Sequence, residues 1–299
     1  MDTNLMRFSY GGHVTFPVRY GWLPKGLSRM RQDGAFHPST DVGDDLGLGS
    51  KMVESLGFWL KATGLARDAE GEARTGRVPS EIADLVIAHD PYCELPGTWW
   101  FLHLALATRE GTIWSWFFND YSERIFDRAA CVEGFLQFTR TRAMRPASEA
   151  MAIKDVACLL SAYGARPGVD VVDPDDVGAC PFRELGLIIR HELVRRYERT
   201  RTPVGLPAEA FLACSSLLAK ETGKDAVSLR ELATLRFGPG RVFCAGLDAV
   251  DEMVGKAASA MWTKGVVVET LAGERYLRAT IRPIEQWLRD YYFRLEAGA

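Results

Sequence analysis

Neither charge sign dominates this sequence, and its cysteines form no close pair. Across 299 residues, 36 Lys and Arg stand against 39 Asp and Glu, a formal net charge of −3. No global basic field marks a polyanion partner, so any nucleic-acid contact has to come from local patches. The six cysteines, Cys93, Cys131, Cys158, Cys180, Cys214 and Cys244, contain no C-x-x-C pair. That argues against a disulfide scaffold and a zinc ribbon and fits a reducing cytoplasm. The opening MDTNLMRFSY lacks the basic and apolar regions of a signal peptide. The most apolar run, Gly97 to Phe118, is cut by Arg109, Glu110 and Gly111 and carries His103. It falls short of a membrane span, and no membrane partner is expected.

Several motifs of chemistry are also missing. G-x-x-x-x-G-K-[ST] is absent, and Gly49-Ser50-Lys51 is explained by a turn between helices, so no ATPase is indicated. In HELVRR the position four after His191 is Arg195, so no zincin pair forms. Glu221 and Lys224 in ETGKD have the wrong spacing for a nuclease acid and lysine. Asp173, Asp175 and Asp176 in VVDPDDVGACPF can hold a divalent ion, with a solvated turn or helix cap as the plainer account. Arg190, Arg195, Arg196, Arg199 and Arg201 form a basic run, expected over one helix end as a solvated face or, alternatively, a DNA backbone track.

What is present is a composition rich enough, at 47% hydrophobic, to bury a core. Gly and Pro divide the chain into three parts: 1–90, an N-terminal winged-helix-like DNA-binding module; 91–200, a central helical module with a second helix-turn-helix; and 201–299, a C-terminal winged-helix-like module. The fold class expected is mainly α with small β wings (α+β), built from tandem winged helix-turn-helix-like units. In the first part a helix ends near Leu46, Gly47-Leu48-Gly49 turns, and a second helix capped by Ser50 places Val53, Leu56 and Leu60 inward. Lys51, Ser55 and Lys61 then face outward. Gly64 stops the helix, and a two-stranded wing follows with Gly71 at its tip. In the second part a helix over Cys131 to Phe138, a turn at Pro146 and a helix from Ser148 to Tyr163 carry an inward stripe of Ile153, Val156, Leu160 and Tyr163. The third part ends in a hairpin around Ala272-Gly273. Phosphate contacts need Lys or Arg on a helix face or wing, which the first unit offers as Lys25, Ser50, Lys51, Lys61, Arg67, Arg74 and Arg77. Glu54, Glu70 and Glu72 sit among them and repel phosphate.

The stretch SYGGHVTFPVRYGWLPKGL, residues 9–27, is explained structurally by glycines that turn and by Pro17 opening a short helix that Thr15 caps and Pro24 bends or ends. It also gathers His13, Arg19, Tyr20 and Lys25. Phosphodiester cleavage needs a nucleophile or a base that activates water, with cations for the charge of the transition state. His13 as base or metal ligand, Tyr20 as nucleophile or hydrogen-bonding spectator and Arg19 as phosphate clamp are the candidate catalytic set.

Together, FSYGGHVTFPVRYGWLPKG, LGLGSKMVESLGFWLKATGL, HDPY with TWWFLHLALAT and WSWFFN, KDVACLLSAY, CPFRELGLI and FGPGRVF run in order over nearly the whole chain. In these the sequence resembles a bacterial family long labelled as a domain of unknown function, found in phage-defence islands, which contains the DNA-nicking component of the Ssp phosphorothioation system. The resemblance implies a strand-nicking protein that acts on double-stranded chromosomal DNA with a cysteine desulfurase, an ATPase and an ATP-pyrophosphatase-like protein. It marks His13, Thr15, Arg19, Tyr20 and Trp22 as family positions without assigning their roles. Magnesium or manganese is a possible cofactor with no identified ligands. Two other classes use the same elements: a non-catalytic winged-helix adaptor or transcriptional regulator, and a docking scaffold presenting the aromatic segment Trp99 to Phe118.

Overall fold

Six helices begin at a Ser, Thr or Asp whose side-chain oxygen accepts a first-turn backbone N–H: Ser39, Ser80, Thr112, Asp127, Ser148 and Ser228. These caps punctuate a chain that the computed structural model describes over residues 5–69, 76–166, 179–259 and 265–298. The architecture is mainly α with small sheets, an α+β fold.

The first part comprises α1 (Trp22–Asp33), α2 (Thr40–Leu46), α3 (Ser50–Ala62), β1 (Ala66–Asp68), β2 (Arg77–Pro79) and α4 (Glu81–His89). Gly47, at φ 64, turns α2 into α3, and β1 pairs antiparallel with β2. Three local expectations are corrected. Residue 17 opens no helix: α1 starts at Trp22 after Gly21 at φ 74, and Pro24 sits in its first turn, where its missing N–H costs nothing. Ser50 is the first residue of α3; its N-cap is Gly49, and no side chain caps it. Ser55 is buried because its hydroxyl has an internal acceptor, the carbonyl of His13 at 2.8 Å.

The middle part holds α5 (Pro96–Thr108), α6 (Ile113–Asn119), β3 (Ile125–Phe126), α7 (Arg128–Arg142), α8 (Glu149–Tyr163), β4 (Gly164–Ala165), a 3-10 turn at Pro181–Leu185, β5 (Ile188–His191) and β6 (Arg196–Arg199). Its strands form a sheet in the order β3-β6-β5-β4, with β4 parallel to β5 and the other pairs antiparallel. The arginine run expected over a helix end is thus a hairpin, so this part is not helical throughout. On α8 Val156, Leu160 and Tyr163 are buried as expected, together with Ala152 and Leu159, but Ile153 is 39% exposed.

The last part runs α9 (Ala208–Thr222), β7 (Val227–Ser228), α10 (Leu229–Thr234), α11 (Pro239–Val242), α12 (Leu247–Ser259), β8 (Val266–Leu271), β9 (Glu274–Ala279) and α13 (Ile284–Ala297), with sheet order β7-β9-β8. Ala272 and Gly273, at φ 52 and 82, close the hairpin as a two-residue turn.

The buried side chains form one hydrophobic cluster shared by all three parts. At its centre lie α5 and α6, buried almost throughout, so the Trp99 to Phe118 segment is interior and offers no docking surface. Polar bonds tie it to the last part: the Gly97 N–H donates to the Tyr291 hydroxyl, Thr98 meets Tyr292, and His103 meets the Val242 carbonyl at 2.8 Å. A Cβ on Gly97 would lie 2.0 Å from the Tyr291 ring. Only glycine admits that approach. Among the described residues no helix is long and apolar enough to cross a membrane.

Candidate nucleic-acid interface

The loop before α1 folds back on α8. Asp155, on α8, accepts the Gly11 N–H and meets His13 Nε2, both at 2.9 Å. The Thr15 N–H donates to His13 Nδ1 at 3.0 Å, which leaves the ring proton on Nε2, facing the carboxylate. Phe58 and Trp114 meet the imidazole edge-on, and His13 is 1% exposed. Arg19, half-buried, lies 5.7 Å from the Trp22 ring, and Tyr20 is 39% exposed with its backbone N–H on the Ala179 carbonyl at 3.4 Å. Arg19 and Tyr20 are therefore neighbours at the surface, while His13 is enclosed. The fold does not bring the three into one cluster.

The cations expected on the first unit are tied to local partners. Lys51 pairs with Glu54 at 2.8 Å, Lys61 with Asp68, and Lys25 donates to the Leu46 carbonyl at 2.7 Å. The Lys61 ammonium holds the Asp68 carboxyl below its ordinary range. Arg77 reaches under α3 so closely that a Cβ on Gly57 would meet its guanidinium at 1.8 Å, and burial lowers its pKa. Ser50 is exposed at the start of α3, and Arg67 lies on the exposed side of β1. Arg74, with Gly71, Glu70 and Glu72, lies outside the described residues, as do Asp173, Asp175 and Asp176.

A denser basic surface lies on the central sheet. Arg128 at the start of α7, Arg166 after β4, Arg183 in the 3-10 turn and Arg190 on β5 line a cavity of about 230 Å³, with Ser161 and Tyr197 in its wall. Arg183 Nε donates to the Ser161 carbonyl at 3.0 Å, and Arg166 and Arg190 share Glu192 at 3.0 and 3.7 Å. A second cleft of about 210 Å³ is lined by Arg124, Arg199, Arg201 and Arg241. Tyr197 and Arg199 are two residues apart on β6, so they share a face of the sheet and place the two clefts along one strand. Arg199 itself is buried: its guanidinium lies 4.2 Å from the Phe117 ring, donates to the Phe117 carbonyl, and has its pKa lowered by burial. It supports the floor, while Arg124, at 54% side-chain exposure, stands at the rim with Glu198.

Arginine forks that come from several elements and face solvent are suited to phosphate oxygens. The sequence signalled only half of this surface: the run from Arg190 to Arg201 is visible, but Arg128, Arg166 and Arg183 follow no spacing rule and converge through packing of α7, α8 and the 3-10 turn. Among the described residues no group of three or more His, Cys, Asp or Glu is placed to hold a metal ion.

A family described as a protein of unknown function (DUF4007) matches residues 10–292. Two solved structures are similar. A magnesium ion-bound SspB crystal structure is 26% identical, covers 95% of this chain and 88% of that chain, and superposes with a TM-score of 0.82. A further SspB crystal structure, 24% identical, covers 99% and 97% with a TM-score of 0.78, a likeness of fold. Comparison with curated proteins finds no match.

Proposed function

The chain belongs to the DUF4007 family, and from that membership and the SspB-like fold we propose that it binds double-stranded DNA and nicks one strand in phosphorothioation-based defence against phage. The observation that carries DNA contact is the pair of arginine clefts aligned along β6. Phosphates bound there would register the duplex without reading its sequence. Ser50 and Arg67, exposed on the first unit, would extend the track at its edge, while Lys25, Lys51 and Lys61 keep their present partners and Arg77 stays under α3.

Arg19 and Tyr20, the accessible members of the opening loop's set, would meet the scissile phosphate: a guanidinium for the developing charge and a hydroxyl for attack or proton transfer. His13 acts in this proposal as a positioning residue, holding the loop through Asp155 from inside.

The three parts, 1–90, 91–200 and 201–299, divide the work. The order α9-β7-α10-α11-α12-β8-β9, with β7 paired to β9, supports reading the last part as winged-helix-like. Its α12 carries Asp248, Asp251 and Glu252, with Asp251 paired to Arg275 and Glu252 to Lys256, a face of mixed charge suited to a protein partner. The partner proteins, a cysteine desulfurase, an ATPase and an ATP-pyrophosphatase-like protein, would dock on α12 of this unit, whose Arg201 and Arg241 also line the second cleft, and the α2–α3 pair with β1 and β2 would lie at the edge of the DNA track.

Relaxation of supercoiled plasmid with magnesium or manganese tests the enzyme. Folded wild type is expected to generate open circles, and Arg19→Ala and Tyr20→Phe to slow their appearance. No open circles from wild type would remove strand nicking, and no shift of labelled duplex at low salt would remove DNA binding as well.

A further inference from the structure

Resting on the DNA-acting function above, we propose that the cavity lined by Arg128, Arg166, Arg183 and Arg190 holds a terminal phosphate, the phosphomonoester at the end of a nucleic-acid strand. Four arginines from separate stretches of the chain line about 230 Å³ there, below the roughly 300–1,000 Å³ of sites that enclose a whole small molecule. The space suits a phosphate with part of its sugar.

The groups are held ready by the backbone. Arg183 is anchored on the Ser161 carbonyl, and Arg128 donates to the Ile153 carbonyl at 3.4 Å. Arg166 and Arg190 already bridge one anion, the Glu192 carboxylate. A terminal phosphate carries close to two negative charges near neutral pH and an internal diester only one, so convergent guanidinium forks favour the terminus. Arg128 also lines an adjoining groove of about 650 Å³ between α7 and α8, whose wall includes Val132, Leu136 and Ile153. Glu133, Arg140 and Glu149 line the same groove, so the sugar and base of the terminal nucleotide have a path beside the phosphate site with an apolar wall and a charged edge. A nick creates such an end, so the pocket would retain one side of the opened strand.

Short fluorescent oligonucleotides of one sequence, ending in 5′-phosphate, 3′-phosphate or hydroxyl at both ends, provide the test by anisotropy. One of the phosphorylated forms is expected to bind about tenfold more tightly than the hydroxyl form, the effect of one or two charge-assisted hydrogen bonds. Arg190→Gln and Arg128→Gln, both at exposed positions, should abolish that preference. Glu192→Gln should sharpen it by removing the competing carboxylate. Arg124→Gln, in the other cleft, should weaken all three oligonucleotides alike. Equal binding of all ends would overturn the pocket assignment while leaving DNA binding intact. If inorganic phosphate binds and no oligonucleotide does, the site belongs to a free anion and the strand-end proposal fails together with DNA binding.

Discussion

His103 is fully enclosed, with Nδ1 on the Tyr163 hydroxyl and Nε2 on the Val242 carbonyl. Burial lowers its pKa to about 4, against an ordinary 6.5. Between these values the unfolded chain takes up a proton that the folded chain refuses, so the stability due to His103 is complete above pH ~6.5 and is lost as pH falls toward 4. The loss amounts to about 3 kcal/mol. Urea unfolding of wild type and His103→Gln across this window should show the difference between them shrinking with acid; a constant difference would contradict the burial. Asp155 makes the other buried polar contact that matters. Asp155→Ala strands the His13 and Gly11 donors and should cost roughly 2–4 kcal/mol, with Asp155→Asn, which keeps an acceptor oxygen, recovering most of it. Equal midpoints for Asp155→Ala and wild type would show that the clasp contributes nothing. His13 was legible in the sequence as a singular residue. Its role was not, because the acceptor that draws it inward lies on α8, far away along the chain.

Among the elements, those specified by local chemistry were readable. Gly47, Gly64, Ser148 and the Ala272-Gly273 turn each impose a backbone geometry or a hydrogen bond within a few residues, and α2, α3, α8 and the β8–β9 hairpin stand where those signals place them. The central sheet was not readable. Its strands span two to four residues, too short to alternate, and β4 pairs in parallel with a strand reached only after an intervening segment. The arginines of β5 and β6 were visible as charge, but their sheet face depends on pairing register. The hairpin turn offers a check of its own. Ala272 occupies a left-handed conformation that favours Asn or Gly. Ala272→Asn should stabilise the protein by ~0.5–1 kcal/mol, seen as a higher urea midpoint, whereas a lower one would mean that the turn is held by something other than its backbone.

At the scale of the molecule, the net charge of −3 conceals a segregation. On α12 Asp251 and Glu252 are held in acid–base pairs, whereas the arginines of the central sheet, joined by Arg201 and Arg241 of the last part, gather in two clefts. On the function proposed above, DNA would meet the protein on the side of these two clefts. The most direct measurement is the salt dependence of binding to a labelled duplex by wild type, the pair Arg124→Gln/Arg190→Gln and the pair Lys51→Gln/Lys61→Gln. Removing the two cleft arginines should reduce the slope of log K against log salt by about 2, and removing the two lysines should leave it nearly unchanged. The reverse pattern, a slope reduced by the lysine pair and untouched by the arginine pair, would contradict the central-sheet interface.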